Sequence, residues 1–293
     1  FAKISKNGMP MSCRFADISI VRELDMSLDK PKFRRSESAD ALPIIEGRMV
    51  QPFRLGAKAY VSGEGRRATW LPSCEKLKPQ FYIPSGDLSE TVRRRTQVLR
   101  AGFCDIAGQT NERGMMSALI SSNVVCGNKV PTVMIDDGMN RNAILYWIGV
   151  TNSFVFDWML RRVLTTTVNF FLLNGLPFPK GELDDDHSKA IIEATDQLCA
   201  MGKEYYYDNA TMSDLRATVD AEVAMAYGLC GKDMELVMAD FPIIDRGQPA
   251  IDGELHSTIT RDLILSRIGT QTSRSRAKKR VQSAVEMGAC AYM

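Results

Sequence analysis

Residues 143–179 read AILYWIGVTNSFVFDWMLRRVLTTTVNFFLLNGLPFP, and the predicted fold is built outward from this stretch. Its first part, 143–150, is apolar at nearly every position, which predicts a helix buried on all sides rather than an amphipathic one. Asn152 and Ser153 interrupt the apolar run. Because either side chain can accept backbone N–H bonds at a helix start, a second helix is predicted from about residue 154 to 163.

The second half of the stretch predicts extended chain. Residues 165–168 (TTTV) are β-branched and lead into Phe170 and Phe171, a composition that favours a strand. Pro177 and Pro179 end this segment, because a proline neither donates to a ladder nor continues a helix.

The same stretch carries a resemblance to a known family. Its pattern Asn-Ser-x-x-Phe-Asp-x-x-Leu-Arg, then Thr-Thr, Asn-Phe-Phe and Leu-Pro-x-Pro, resembles the C-terminal target-recognition region of large bacterial N6-adenine DNA methyltransferases. That family includes type IIG restriction-modification enzymes and the methylases of phage-defence systems such as DISARM and BREX. Val150 stands where the family has leucine.

Two upstream segments extend the resemblance. Residues 42–53, LPIIEGRMVQPF, are similar to the family's Leu-Pro-Leu-Tyr-Glu-Gly-Lys-Met-Ile-x-x-Phe, with Ile45 replacing an aromatic residue and Arg48 replacing lysine. Residues 103–113, FCDIAGQTNER, are similar to a Thr-Asn-Glu-Arg-Thr element, with Gly114 in place of the last threonine. With further matches in 215–265, the resemblance covers most of residues 42–265 in collinear order.

Composition limits the classes of function. The chain has 293 residues, 45% hydrophobic, enough for a substantial core and two packed units. A net charge of +2 does not indicate a nucleic-acid partner, so DNA binding would need a local basic surface. The seven cysteines form no C-x-x-C pair, which favours reduced thiols and a cytoplasmic location.

Neither a signal peptide nor an apolar run of membrane-spanning length is apparent in the sequence, so no membrane partner is predicted. The chain begins with Phe1 rather than methionine, and we interpret it as a piece of a longer protein. The 62–67 segment, SGEGRR, predicts a hairpin turn rather than a cofactor loop.

Candidate DNA contacts come from the arginines and from the segments that resemble the family. A Gly-Arg corner places Arg48 where it can meet phosphate or a base edge, although an ion pair with Glu46 is an equal alternative. A basic run and the Thr-Asn-Glu-Arg corner add further candidates, although the corner can instead be a self-satisfied structural element. The predicted DNA-binding residues are Arg48, Arg93, Arg94, Arg95, Arg100, Asn111, Arg113, Thr165, Thr166, Thr167 and Asn169.

Catalytic residues are not predicted. Adenine methylation needs a loop of the Asn-Pro-Pro-Tyr type, and no two prolines of this chain are adjacent. No S-adenosylmethionine-binding glycine loop is recognisable, so the resemblance implies that this cofactor belongs to the parent enzyme and not to this fragment. Two histidines, His187 and His256, offer little for a metal site, and none is predicted.

The leading hypothesis is therefore a DNA-binding specificity module of an adenine methyltransferase. Its implied partners are double-stranded DNA, the parent's catalytic domain and other defence-system subunits. The alternative is a structural module that docks other subunits and touches DNA little, and an enzymatic role for the fragment itself is the weakest reading. The predicted fold class is α+β, with a mainly antiparallel sheet unit over 1–180, a helical unit over 181–245 and a C-terminal extension over 246–293.

Overall fold

A computed structural model of the chain describes residues 1–73, 77–106, 112–164, 166–201, 209–269 and 271–292, without the side chains of Arg66 and Gln271. Its α-helices are α1 (Ala2–Asn7), α2 (Met11–Arg14), α3 (Glu90–Arg95), α4 (Arg141–Asn152), α5 (Phe154–Arg161), α6 (Phe170–Gly175), α7 (Asp186–Met201), α8 (Asn209–Ala226), α9 (Gly231–Met238), α10 (Ile259–Leu265) and α11 (Gln271–Glu286). Its strands are β1 (Gly8–Pro10), β2 (Ile18–Val21), β3 (Ala41–Ile45), β4 (Val50–Gln51), β5 (Arg54–Leu55), β6 (Lys58–Ser62), β7 (Thr69–Pro72), β8 (Tyr82–Pro84), β9 (Arg100–Phe103), β10 (Ser117–Ile120), β11 (Val125–Cys126), β12 (Thr132–Ile135) and β13 (Pro177–Pro179).

Helix α4 lies at the centre of the core. All its residues from 143 to 152 are buried, because the helix contacts strands β9, β10 and β12 as well as helices α7 and α8. Asn140 caps its start by accepting a hydrogen bond from the Ala143 N–H at 3.0 Å. The prediction of a helix buried on all sides is confirmed.

Helix α5 follows after a single residue. Ser153 ends α4 and caps α5, since its hydroxyl accepts a hydrogen bond from the Phe156 N–H at 3.2 Å. The predicted second helix is therefore confirmed, although it ends at Arg161.

The sheets are small and mainly antiparallel. Strands β10, β9, β12 and β2 form a four-stranded sheet in that order, with all pairs antiparallel. Strand β3 pairs in parallel with β11 and antiparallel with β8, while β4–β5 and β6–β7 are separate hairpins. The β6–β7 hairpin confirms the turn predicted at residues 62–67, and the combination of sheets and packed helices confirms the α+β class.

The extended chain predicted for 165–171 is wrong in its second half. The Asn169 side chain accepts a hydrogen bond from the Phe171 N–H at 2.9 Å and so starts α6. Phe170 and Phe171 are therefore helical, and Thr167 makes only an isolated bridge with Ile106. A local cap outweighed the β-branched composition that precedes it.

Pro177 and Pro179 lie in a short ribbon. Strand β13 pairs antiparallel with β1, placing Gly8 opposite Pro179 and Pro10 opposite Pro177. Between them, Phe178 is fully buried against Phe15 and Phe156. The ribbon thus fixes the N-terminal segment to the end of the central stretch.

The helices after residue 180 share a core with the sheet. Ile191 of α7, Val223 of α8 and Met234 of α9 belong to the same buried cluster as Phe103 of β9. Helices α10 and α11 contribute to a smaller cluster, formed by Ile259, Ala284, Ala289 and Ala291. The domain boundaries at residues 180 and 245 stay predictions.

No single helix in the described ranges has the length and apolar composition of a membrane span. Helices α4 and α5 meet that test only as a pair, bent by 63° between them.

Candidate nucleic-acid interface

Arg48 stands on a 3-10 turn, Gly47–Met49, that follows strand β3. The turn is anchored by Ile45 and Met49, both fully buried. Gly47 lies so close to the neighbouring chain that a Cβ there would come within 3.2 Å of the Cys104 Sγ. With both neighbours held against the protein, the Arg48 side chain is left exposed to solvent.

Two adjacent clefts, of about 600 and 500 Å³, meet at Arg48. Both are lined by Met26, Glu46 and Arg48, so they form one continuous surface, which we call the basic groove. Besides these shared residues, its charged and aromatic lining comprises Lys30, Phe33, Arg35, Lys58, Glu64, Trp70, Phe81 and Lys129.

The basic groove carries more positive than negative charge. Arg35 forms an ion pair with Glu64, and the Lys129 Nζ lies 3.8 Å from a carboxylate oxygen of Asp105. Lys30, Arg48 and Lys58 form no ion pair with a carboxylate of the described residues, and they remain available to a partner. A local basic surface of this kind is the electrostatic requirement for binding phosphate groups in a protein whose net charge is nearly balanced.

Burial raises the pKa of the Glu46 carboxyl, and the positive charge of Arg48 opposes that rise. Arg48 and Glu46 form no ion pair, so the alternative of a structural Glu46–Arg48 pair is not the arrangement seen. Protonation of Glu46 would make the basic groove more positive still.

Aromatic rings lie beside the cations of the basic groove. The Arg48 guanidinium lies 5.1 Å from the centre of the Trp70 ring, and the Arg35 guanidinium lies 4.8 Å from that of Phe81. Trp70 packs edge-on against Tyr60, its cross-strand partner in the β6–β7 hairpin, at 5.6 Å. Cations interleaved with aromatic faces are suited to phosphate contact combined with stacking on bases.

Thr167 lies next to this surface. Thr167 bridges Ile106, which lines the basic groove and is half exposed. The next residue, Val168, donates its N–H to the Asp105 carbonyl at 2.9 Å. Asn169 is exposed, but its side-chain oxygen is used in capping α6, and Thr166 is exposed in a bend. Asn111 and Thr165 lie outside the described residues.

Arg93 and Arg94 are on helix α3 and line neither cleft of the basic groove. Glu90 forms ion pairs with both, at 3.2 and 3.0 Å, and Arg93 also donates to the Ser85 and Leu88 carbonyls. Their side chains are 40% and 77% exposed, so DNA contact by these two residues stays a prediction.

The structure corrects the predictions for Arg95 and Arg100, whose side chains are buried. Arg100 is fully buried, and Glu23 accepts hydrogen bonds from its Nε and Nη2 at 2.7 and 3.1 Å. Arg95 donates to the Ser19 hydroxyl and to the Thr132 carbonyl, both at 3.0 Å. These guanidinium groups hold strands together and are not accessible to a duplex.

Arg113 connects the segment before β10 to the ends of helices α4 and α5. Its Nε donates to Asp157 at 3.0 Å, it also binds the Asn152 carbonyl, and its guanidinium lies 4.2 Å from the centre of the Phe154 ring. Asp157 further accepts the Gly114 N–H at 2.9 Å. Only 10% of the Arg113 side chain is exposed, so the prediction of DNA contact by Arg113 is corrected in favour of the structural alternative.

Asn152, another motif residue of the central stretch, contacts strand β10 in the same region. The Asn152 amide donates to the Ser117 carbonyl and accepts the Ser117 N–H, both at 2.9 Å, as a neighbouring strand would. Gly114 leaves no room for a side chain, because a Cβ there would lie 2.5 Å from the Asp157 carboxylate. The Asn-Ser and Phe-Asp positions thus fasten α4 and α5 to the sheet.

Sequence reasoning missed most of the basic groove. Lys30, Arg35, Lys58, Trp70 and Lys129 come from separate segments, and no local pattern joins them. One signal was available, since a hairpin predicted at 62–67 places Tyr60 and Trp70 on facing strands. Within the described ranges, no group of three His, Cys, Asp or Glu residues could hold a metal ion.

Similarity to known proteins is limited to solved structures. No family model matches the chain, and no curated protein matches it. Among solved structures, a chain from a study of complex assembly and conformational transition of the type I R-M system matches with a TM-score of 0.37 and 11% identity. That match covers 75% of this chain, which spans 45% of the length of the other. At this level of similarity, the match carries no argument about function.

Proposed function

We propose that this chain is a DNA-binding target-recognition module of an N6-adenine DNA methyltransferase of a restriction-modification or phage-defence system. The observation that carries the proposal is the basic groove, where Arg48 lies beside Trp70 with Lys30 and Lys58 unpaired among the described residues. The sequence resemblance over residues 42–265 supports the methyltransferase assignment. Methyl transfer and S-adenosylmethionine would belong to the catalytic domain of the parent enzyme.

The proposed division of labour follows from the chemistry of the side chains. Lys30, Lys58 and Lys129 are flexible point charges suited to phosphate contact, which positions a duplex without reading its sequence. Arg48 has a planar guanidinium that can bond bidentately to a guanine edge in the major groove. Its replacement of the lysine in the related motif is then a candidate determinant of specificity.

The test is fluorescence anisotropy with random duplex DNA across a salt series. Wild-type protein is compared with Lys58→Gln and Arg48→Gln, and with Lys189→Gln as the matched control, since Lys189 is exposed on α7 and lines neither cleft of the basic groove. Loss of one phosphate contact is expected to weaken all sequences alike and to reduce the salt slope by roughly one. The control is expected to match the wild type.

A selection of preferred sites then separates the two roles. Arg48→Gln is expected to relax preference at one or two positions by about 1–3 kcal/mol, whereas Lys58→Gln changes affinity alone. If the wild type binds no duplex even at low salt, DNA binding by this chain is refuted. A pull-down with the full-length parent would then test the alternative of a docking module in a defence complex.

A further inference from the structure

A separate cleft of about 490 Å³ lies away from the basic groove and shares no lining residue with it. It is enclosed by the β4–β5 hairpin, the 112–116 segment and helix α8. Its charged and aromatic lining comprises Phe53, Arg54, Glu112, Arg113, Arg216, Asp220 and Tyr292. We call it the arginine cleft.

Two arginines of this cleft have buried donors without an acceptor. The Nε atoms of Arg54 and Arg216 are both buried and meet no hydrogen-bond partner in the described part of the chain. Other atoms of the same side chains are held: Arg54 binds the Ser73 carbonyl, and Arg216 donates to the Tyr292 carbonyl at 3.4 Å. The Arg54 Nη1 and Arg216 Nη2 groups form no hydrogen bond with the described residues, so both arginines keep donors for a partner.

Three arginines and two carboxyls line the arginine cleft. Burial lowers the pKa of Arg216, and the negative charges of Asp220 and Glu112 oppose that shift. Two carboxyls, Glu112 and Asp220, also line the cleft, and burial raises the pKa of each. The Asp220 oxygens are already engaged, since they accept the Phe154 N–H and the Tyr292 hydroxyl. Asp220 therefore forms no hydrogen bond with Arg54 or Arg216.

Backbone conformation sets the shape of the cleft. Phe53 and Tyr292 have φ angles of 66° and 62°, in the left-handed region that side chains other than glycine rarely adopt. Phe53 is fixed there by donating its N–H to the Ser117 carbonyl at 2.8 Å. Strained residues that persist on both walls of one cleft are typical of ligand sites, where the surrounding structure holds them in place.

We propose that the arginine cleft binds a phosphate-class oxyanion, to which Arg54 and Arg216 donate hydrogen bonds through the Nη groups that bind no described residue. The cleft volume lies in the range of small-molecule sites and accommodates a mononucleotide. Arginine is suited to this ligand because its planar donors match the geometry of phosphate oxygens. The proposal is independent of DNA binding in the basic groove.

Isothermal titration calorimetry of the whole chain tests the proposal. The probes are inorganic phosphate, adenosine 5′-monophosphate, a dinucleoside monophosphate and, as the uncharged control, adenosine. Wild-type protein is compared with Arg54→Gln and Arg216→Gln, with Arg276→Gln as the matched control on the exposed surface of α11. Because Arg216 also contacts Tyr292, thermal unfolding of each variant is recorded. If Arg216→Gln does not fold, the test of the proposal rests on Arg54→Gln alone.

Saturable binding of phosphate or the monophosphate is expected, with no binding of adenosine. Arg54→Gln and Arg216→Gln are each expected to weaken binding about tenfold or more, while Arg276→Gln does not. Tighter binding of the monophosphate identifies a nucleotide, comparable affinities identify free phosphate, and binding of the dinucleoside monophosphate identifies a backbone phosphate.

Absence of saturable binding by every phosphate probe overturns the proposal, as does binding that Arg54→Gln leaves unchanged. Arg48→Gln separates the two sites, since it is expected to weaken duplex binding and to leave phosphate binding as it is.

Discussion

Replacing Asp220 by asparagine is expected to change how stability depends on pH. Asp220 is 3% exposed, and burial raises the pKa of its carboxyl to about 6, against opposing effects of Arg113 and of the hydrogen bonds from Phe154 and Tyr292. In the unfolded chain the pKa is near the ordinary value of 3.8. The folded protein therefore binds a proton more tightly than the unfolded chain does.

The sign and size of the effect follow from proton linkage. The contribution of Asp220 to stability is complete below about pH 4 and is lost as pH rises through about 6, because ionising the buried carboxyl costs free energy. A difference of about two pH units corresponds to about 3 kcal/mol, at about 1.4 kcal/mol per unit. Asparagine does not ionise, so Asp220→Asn gains about 2.5 kcal/mol relative to wild type between about pH 4 and pH 7.5, the rest of the change falling below pH 4.

Urea denaturation of wild type and Asp220→Asn at about pH 4 and pH 7.5 measures this change. Any fixed cost from rearranging the Tyr292 hydrogen bond cancels, because only the change with pH is compared. The matched control is Asp25→Asn. The Leu28 and Ser27 N–H groups lower the pKa of Asp25, so above about pH 4.5 its carboxyl is ionised in both the folded and the unfolded protein. The stability difference between wild type and Asp25→Asn therefore stays nearly constant above that pH. A stability difference for Asp220→Asn that does not grow with pH would refute the reasoning.

Three further changes test the packing of the fold by urea denaturation. Arg100→Leu is expected to destabilise the protein by about 3–5 kcal/mol, since the buried Glu23 carboxylate loses both hydrogen bonds from Arg100 and keeps Arg95 as a more distant charged partner, with its Nε 3.8 Å away. The double variant with Glu23→Leu should recover part of the loss, and no recovery would contradict an ion-pair origin. Gly114→Ala should cost about 1–3 kcal/mol through the close contact of the new methyl group, whereas the control Gly86→Ala, with open space around it, should cost much less; equal costs would argue against steric exclusion. Ser153→Ala should cost about 1 kcal/mol through loss of the α5 cap, while Ser153→Thr, which keeps the hydroxyl, should retain most of the stability. An alanine variant as stable as the wild type would contradict this role of the cap.

The central helices could be predicted because their signals are local. A continuous apolar run from 143 to 150 specifies a helix buried all round, and Ser153 marks the start of the next helix within three residues. The prediction failed at Phe170 and Phe171, where β-branched neighbours suggested a strand but Asn169 capped a helix. Local signals compete there, and the Asn169 cap decides between them.

The site residues were harder to predict, because the sequence does not show which carboxylate an arginine side chain pairs with or whether the arginine is buried. Arg93, Arg94 and Arg95 are adjacent in sequence, yet Arg94 is exposed, Arg93 is half-buried and Arg95 is buried. Arg100 is neutralised by Glu23, 77 positions earlier in the chain. Arg48 was predicted from its motif, whereas its neighbours in the basic groove come together only through the pairing of distant strands.

The β1–β13 ribbon has a consequence for self-association. A strand at the edge of a sheet presents unpaired N–H groups, onto which a strand of another molecule can add. Three of the six paired positions in this ribbon, Pro10, Pro177 and Pro179, have no N–H to offer. The ribbon therefore resists templating a further strand, and the outer borders of this small sheet are protected against the edge-to-edge growth that leads to aggregation.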